Sequence, residues 1–190
     1  GPKVGAVARM KAKEDPQMAP SVSSRIRLAV FIGSGCARAG RGCTIYAMQT
    51  LRISTNLVDL DLPLIHQFLS TRSTWALGIP LQTVRRSLEH SLCFGGFLAD
   101  RQVAFARVIT DQATFANLVD VFVLEECRGR GFSRQLMRAI VQDPRLQGLR
   151  RFTLATADAH GLYAQFGFTP LAKPQSFMEI YDPAVYQKPR

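Results

Sequence analysis

The residues of this chain whose types and spacing could do chemistry sit in two short stretches. In the first, Gly129, Arg130 and Gly131 follow the apolar run Val121-Phe122-Val123-Leu124 and precede an amphipathic segment that begins near Ser133. Two glycines let a backbone bend tightly and leave its amides uncovered by side chains. A helix starting at the same point adds partial positive charge. Strand, bare-amide turn and helix start together predict a cradle for a phosphate or pyrophosphate. The spacing excludes two common cradles. A P-loop ends in Gly-Lys-Ser/Thr, and no lysine occurs between Lys13 and Lys173; a dinucleotide loop needs a third glycine where this chain has Arg134.

The second stretch joins the strand-like Phe152-Thr153-Leu154-Ala155-Thr156 to Asp158-Ala159-His160-Gly161-Leu162-Tyr163-Ala164-Gln165-Phe166-Gly167-Phe168. Gly167 suits a residue of positive φ closing a helix, and Pro170 stops the helix from resuming. In the first stretch, Arg128-x-x-Gly131-x-Ser133 resembles the Arg/Gln-x-x-Gly-x-Gly/Ala signature of the GNAT acyl-CoA N-acyltransferases. The second stretch resembles that superfamily's other motif, a short helix carrying Leu-Tyr followed by Phe-Gly-Phe. The resemblance runs from about Met48 to Ile180, nearest to the bacterial small-molecule acetyltransferases. Ser133 departs from the usual Gly or Ala, with a hydroxyl able either to cap the helix or to crowd the pyrophosphate. Cys127 stands where an aromatic is common.

The resemblance implies an α+β fold: a mixed, mostly antiparallel central sheet, splayed in the middle and flanked by helices on both faces. It also implies acetyl-CoA as acyl donor, no metal, and direct attack by a primary amine of a small molecule in a ternary complex. The backbone of Gly129, Arg130, Gly131, Phe132, Ser133 and Arg134 would hold the pyrophosphate. Arg128 and Arg130 would either add charge there or lie on the surface. Val121, Phe122 and Val123 would pair with the pantetheine arm as an added strand does, with an N–H, that of Val123, on the thioester oxygen. Tyr163 takes the place of the family's general acid; a phenol of pKa ~10 stays protonated at neutral pH and can reprotonate a thiolate. The base is open among Asp120, Asp158 and His160, or no single residue, and Asp158 is equally placed to cap the helix through Tyr163. Arg72 and Trp75 lie in the connection that lines the acceptor pocket in this superfamily. Arg72 could pair with a carboxylate, and Trp75 either covers substrate or packs in the core. A second functional class remains: a catalytically weak acyl-CoA-binding sensor or interaction domain.

The elements that must position these groups are legible from periodicity. Leu51-Arg52-Ile53 reads as a first strand, and Leu60, Leu64, Ile65 and Phe68 as a helix with Asp59 near its start. A second helix runs from Pro80 to His90. Strands 92–98 and 103–109 turn at Asp100-Arg101, and strand 115–123 feeds the glycine turn. Leu136, Ile140 and Val141 mark the inner face of the next helix, ended by Asp143-Pro144. Strand 152–156, helix 159–166 and strands near 168–171 and 177–180 close the chain.

With 190 residues and 47% hydrophobic content, the chain can build one sizeable core. It has no apolar run of spanning length, so no membrane partner is expected and the cytoplasm is the expected compartment. Cys36, Cys43, Cys93 and Cys127 form no C-x-x-C pair, which argues for reduced thiols rather than a disulfide or metal framework. The net charge of +10 is concentrated upstream. Residues 1–47 hold Lys3, Arg9, Lys11, Lys13, Arg25, Arg27, Arg38 and Arg41 against Glu14 and Asp15. No recognition pattern accompanies this charge, so no specific nucleic acid is expected, and the chain is expected to be a monomer or homodimer. Residues 1–47 read as an N-terminal extension, disordered or foreign to the native chain, before a domain over 48–190. Gly1-Pro2 has the form of a protease scar, and Met48 that of a native start.

Overall fold

A computed structural model describes residues 49–188. The boundary at 47/48, the Gly1-Pro2 scar and the start at Met48 lie outside the described residues. Five strands form one sheet in sequential order: β1 (Arg52–Ser54), β2 (Leu92–Leu98), β3 (Arg101–Thr110), β4 (Phe115–Val123) and β5 (Arg151–Leu154). All neighbours are antiparallel except β4 and β5, which run parallel. The helices are α1 (Leu62–Thr71), α2 (Leu81–Glu89), α3 (Phe132–Val141) and α4 (His160–Ala164).

Near-continuous burial along β2 and β3 follows from helices covering both faces of the sheet. On one face Leu60 presses on Gly95, where an added Cβ would lie 2.6 Å from the Leu60 side chain. Phe68 of α1 stacks on Phe122 of β4 at 3.9 Å on that same side. On the other face, Leu51 approaches Gly96 and Ala104. There α3 buries Phe132, Leu136, Met137 and Ile140, spaced to give one apolar stripe. Gln135 of α3 ties in the strand approach, accepting from Leu51 N at 2.8 Å and donating to Gln49 O at 3.0 Å.

The β2–β3 turn consists of Ala99 and Asp100, one residue earlier than expected, since Leu98 pairs with Arg101 and Ala99 takes φ 50°. Between β3 and β4, the Asp111 carboxylate accepts from the amides of Ala113, Thr114 and Phe115 and from the Thr114 hydroxyl. Those bonds hold its pKa below the usual carboxylate range.

One part of the sequence reading fails. The stretches near 168–171 and 177–180 form no strands; only a short 3-10 turn, Pro174–Ser176, is regular there. Their apolar residues have strand character, but a strand exists only through a partner. The outer edge of β5 has no neighbour among the described residues.

Candidate active site

The sheet opens in the middle of β4. Phe115 to Leu118 pair with β5, and the pairing then stops. On the other side the β3–β4 register shifts between Phe105 and Arg107, so that Asp120 and Val121 together oppose Ala106. Asp120 is the extra residue of this bulge and adopts φ 55°. Left-handed backbone costs a non-glycine residue about 1–2 kcal/mol, and Asp is among the residues that tolerate it best. Beyond the bulge, Leu124 N bonds Val103 O on β3. Amides alternate along a strand, so the N–H groups of Val121 and Val123 face away from β3, toward the gap where β5 is absent.

The chain then crosses a short 3-10 turn, Glu125–Cys127, and enters the glycine loop. Gly129 and Gly131 have φ 76° and 78°, and no protein atom lies within 4 Å of a Cβ built on either. Backbone conformation, rather than internal packing, therefore favours glycine here. Gly131 is the N-cap of α3 and supplies no side-chain cap. The first-turn amides of Phe132, Ser133 and Arg134 are left without intrahelical acceptors, at the positive end of a ten-residue helix. Ser133 does not cap the helix. Such bare amides beside a loop that any side chain would begin to fill fit the pyrophosphate of an acyl-CoA.

Tyr163 comes from α4 across the gap. It is 8% exposed, its ring edge-on to Phe168 at 6.1 Å. Burial raises its phenol pKa above 10.0, and the charge of Asp158 adds to the shift. Asp158 does not cap α4. The Thr156 hydroxyl accepts from Ala159 N at 3.0 Å instead. Gly167 closes the helix at φ 86°, as its position suggested.

These elements enclose a cleft of about 370 Å³. Arg72 and Trp75 line it from the α1–α2 connection, Val121, Phe122 and Val123 from β4, and Tyr163 from α4. Arg128, Gly129, Gly131, Phe132 and Ser133 supply the loop side. Three residues expected at the site stand apart from the lining. Arg130 binds Glu126 O at 3.2 Å and Gln49 Oε1 at 3.3 Å, and Arg134 binds Gln165 Oε1 at 3.1 Å. Asp120 sits behind the wall. Arg128, though in the lining, turns its Nε onto Val123 O at 3.2 Å and so occupies the carbonyl at the open edge of β4.

Asp120 is fully engaged. Oδ2 accepts from Arg107 Nε and ion-pairs with Arg107 Nη2, both at 2.8 Å, and Oδ1 accepts from Trp75 Nε1 at 3.0 Å. Arg107 Nη1 also donates to Ser91 Oγ at 3.1 Å. The Arg107 and Asp120 side chains are only 15% and 9% exposed. Trp75 is not a core residue: it is 53% exposed, held by its indole N–H.

Residues 90–170 match the acetyltransferase (GNAT) domain model. A crystal structure of a GNAT-family protein from Xanthomonas campestris, which carries a provisional acetyltransferase name, is 59% identical. It superimposes with a TM-score of 0.73 over 75% of this chain and all of its own. The chain belongs to the GNAT acetyltransferase family. A Gibberella zeae protein, also provisionally named an acetyltransferase, is 30% identical over 60% of this chain and 75% of its own. A Mycobacterium tuberculosis protein solved with CoA shares the fold at 18% identity, with a TM-score of 0.53 over 63% of this chain and 72% of its own.

The mixed, splayed sheet of this GNAT acetyltransferase is the one the motifs implied, and the chain is an acyltransferase. Two contributors were missed. Phe68 fixes Phe122 by stacking. Arg107 neutralises Asp120, and a signal for it existed: an arginine set between the apolar pieces Val103-Ala104-Phe105-Ala106 and Val108-Ile109 of β3 calls for an acid nearby.

Proposed function

We propose that the protein transfers the acetyl group of acetyl-CoA to a primary amine of a small molecule, by direct attack in a ternary complex. The observation that carries this reading is the convergence of three groups on one cleft: the uncapped loop–helix amides, the open edge of β4, and the buried Tyr163. Acetyl-CoA supplies the activated acyl group. The amides of residues 129–134 hold its pyrophosphate. Val121 and Val123 offer backbone partners to the pantetheine arm, and the Val123 N–H donates to the thioester oxygen as charge develops there. The Tyr163 hydroxyl gives its proton to the departing thiolate. The bonds of Asp120 to Arg107 and Trp75 support a positioning role for it rather than that of the base. A protein of the same fold solved with CoA supports an acyl-CoA ligand for this chain.

The same reading takes residues 48–190 as the catalytic domain and 1–47 as an extension. It is supported by the Xanthomonas relative, whose full length matches three quarters of this chain.

Acetyl-CoA should raise the melting temperature of the protein, because it binds the folded loop and not the unfolded chain. It should also release CoA when an accepted amine is added. Gly131→Asp, which sets a carboxylate among the amides, should lose the thermal shift. A mutant that keeps the full shift would put the nucleotide elsewhere.

A further inference from the structure

The cleft has a one-sided charge. Two arginines, Arg72 and Arg128, line it, and no Asp or Glu does. The nearest acids are committed elsewhere: Asp120 is held by Arg107 and Trp75, and Glu126 by Arg101 at 2.5 Å. Asp158 acts on Tyr163 from beyond the lining. Arg128 is partly used, bonding the end of β4. The Arg72 guanidinium, by contrast, makes no hydrogen bond or ion pair among the described residues; the charge of Glu126 is felt only at a distance. Arg72 is exposed, three residues before Trp75, and the indole beside it is pinned by Asp120.

We propose that the acceptor is an amine bearing an oxyanion, a carboxylate or a phosphate, which Arg72 binds while Trp75 covers the body of the molecule. The proposal rests on the acetyl-transfer reading above and adds the substrate class. Guanidinium is suited to both oxyanions through paired N–H donors. An acceptor with several ammonium groups, such as a polyamine or aminoglycoside, finds no carboxylate in the lining and meets like charge at Arg72. The reacting nitrogen enters as the neutral amine, with Asp120 kept to its bonds with Arg107 and Trp75. The step balances simply: the amine nitrogen bonds the acetyl carbon, the carbon–sulfur bond breaks, Tyr163 protonates the sulfur, and the excess amine proton leaves to solvent.

The test uses paired acceptors compared at equal concentrations of the neutral amine, followed by CoA release. Phenylalanine is compared with phenylalaninamide and phenethylamine for the carboxylate arm. Glucosamine 6-phosphate is compared with glucosamine for the phosphate arm, and spermidine represents the polycations. The anionic member should win by about 10–100-fold in kcat/KM in one arm, the size of a charge-assisted hydrogen bond. Arg72→Gln should erase that advantage mainly through KM, Arg72→Lys should restore part of it, and acetyl-CoA affinity should not change. Equal or better use of the neutral or polycationic members in both arms overturns the proposal. So does an Arg72→Gln variant that weakens acetyl-CoA binding and leaves the acceptor preference intact. A calorimetric titration with CoA bound needs no turnover and separates this proposal from the catalytic one. N-acetylphenylalanine or N-acetylglucosamine 6-phosphate should bind more tightly than N-acetylphenethylamine or N-acetylglucosamine, and Arg72→Gln should remove the difference. Equal affinities, or none measurable for any of the four, overturn it even if acetyl transfer is silent.

Discussion

Two hollows open beside the sheet, and the smaller one is the proposed site of the chemistry. On the inner side, where β4 leaves β5, the cleft of about 370 Å³ has several wall residues held by others. Phe68 stacks on Phe122, Asp120 anchors Trp75, and Arg128 bonds the last carbonyl of β4. On the outer side, a hollow of about 810 Å³ lies between β5 and residues 166–177. Its cations, Arg150, Arg151 and Lys173, share the wall with phenylalanines, and Arg151 rests over the Phe177 ring at 4.9 Å. No ladder crosses it. Volume and internal order therefore point to different hollows in this molecule. The inner gap exists because a bulge and a glycine loop bend the chain at fixed points, whereas the outer one exists because the segment after Phe168 finds no register.

If the inner cleft is the organised one, its most sensitive point is Tyr163. Tyr163→Phe keeps the ring against Phe168 and removes only the proton donor. The turnover number should fall by about 10²–10⁴, the usual contribution of a positioned acid, with acetyl-CoA binding retained. Burial raises the phenol pKa, so the alkaline fall of kcat should come at higher pH than an unperturbed tyrosine would give. Wild-type turnover by the Phe variant on an accepted amine would remove Tyr163 from the mechanism. The two hollows would then differ in shape alone.

What the sequence made legible divides along the same line. The cleft is written in local signals. Positive-φ glycines at 129, 131 and 167, the apolar run into them, and the Leu-Tyr helix each need only a few neighbouring residues to be recognised. The Arg107–Asp120 pair is less legible because it depends on a bulge, and nothing in a string of residues marks where a ladder slips by one. Asp120 was expected to be reactive from its place on the central strand, but its partners come from β3 and from the α1–α2 connection. Asp158 was a plausible cap by type, yet Thr156 took the bond. The outer side was misread for a different reason. Phe177, Met178, Ile180 and Tyr181 carry the composition of a strand, but strand formation is a property of pairs, and pairing cannot be read from one member.

The wall behind the cleft gives an intermediate effect. Cys93 is buried next to the Arg107–Asp120 pair, and its thiol is pushed up to about 12. Burial is the main cause; Arg107 opposes the shift and Asp120 adds to it. The folded protein thus keeps this proton when the unfolded chain, with a thiol near 9.0, has lost it. The stabilisation is fully present below pH 9 and drains away as pH rises from 9 toward 12. Between pH 8 and pH 10.5 the wild type should lose about 2 kcal/mol through this group. Urea midpoints of the wild type and Cys93→Ala across that range should converge as the pH rises. Parallel curves would mean that water reaches Cys93 and that the inner wall is no better sealed than the outer hollow.

The smallest effect is expected on the outer side, and it decides whether the comparison survives. Met178 and Ile180 are fully exposed, at 98% and 106% of their reference areas. Side chains that bury nothing contribute nothing through burial, so replacing both with Ser should change folding stability by no more than about 0.5 kcal/mol. Fully burying two such side chains would contribute about 1.5–3 kcal/mol each, so the two cases are well separated in a urea melt. A near-neutral result leaves β5 with a bare edge and keeps the outer hollow a consequence of a segment without a partner. A loss above about 2 kcal/mol, independent of protein concentration, would mean that residues 177–181 lie down along the edge of β5 in solution. The same loss appearing only at high protein concentration would assign that edge to a second copy, since assembly makes apparent stability follow mass action. In either of the last two cases the outer side is as organised as the inner one, and the contrast between them would lie in side-chain chemistry rather than in order.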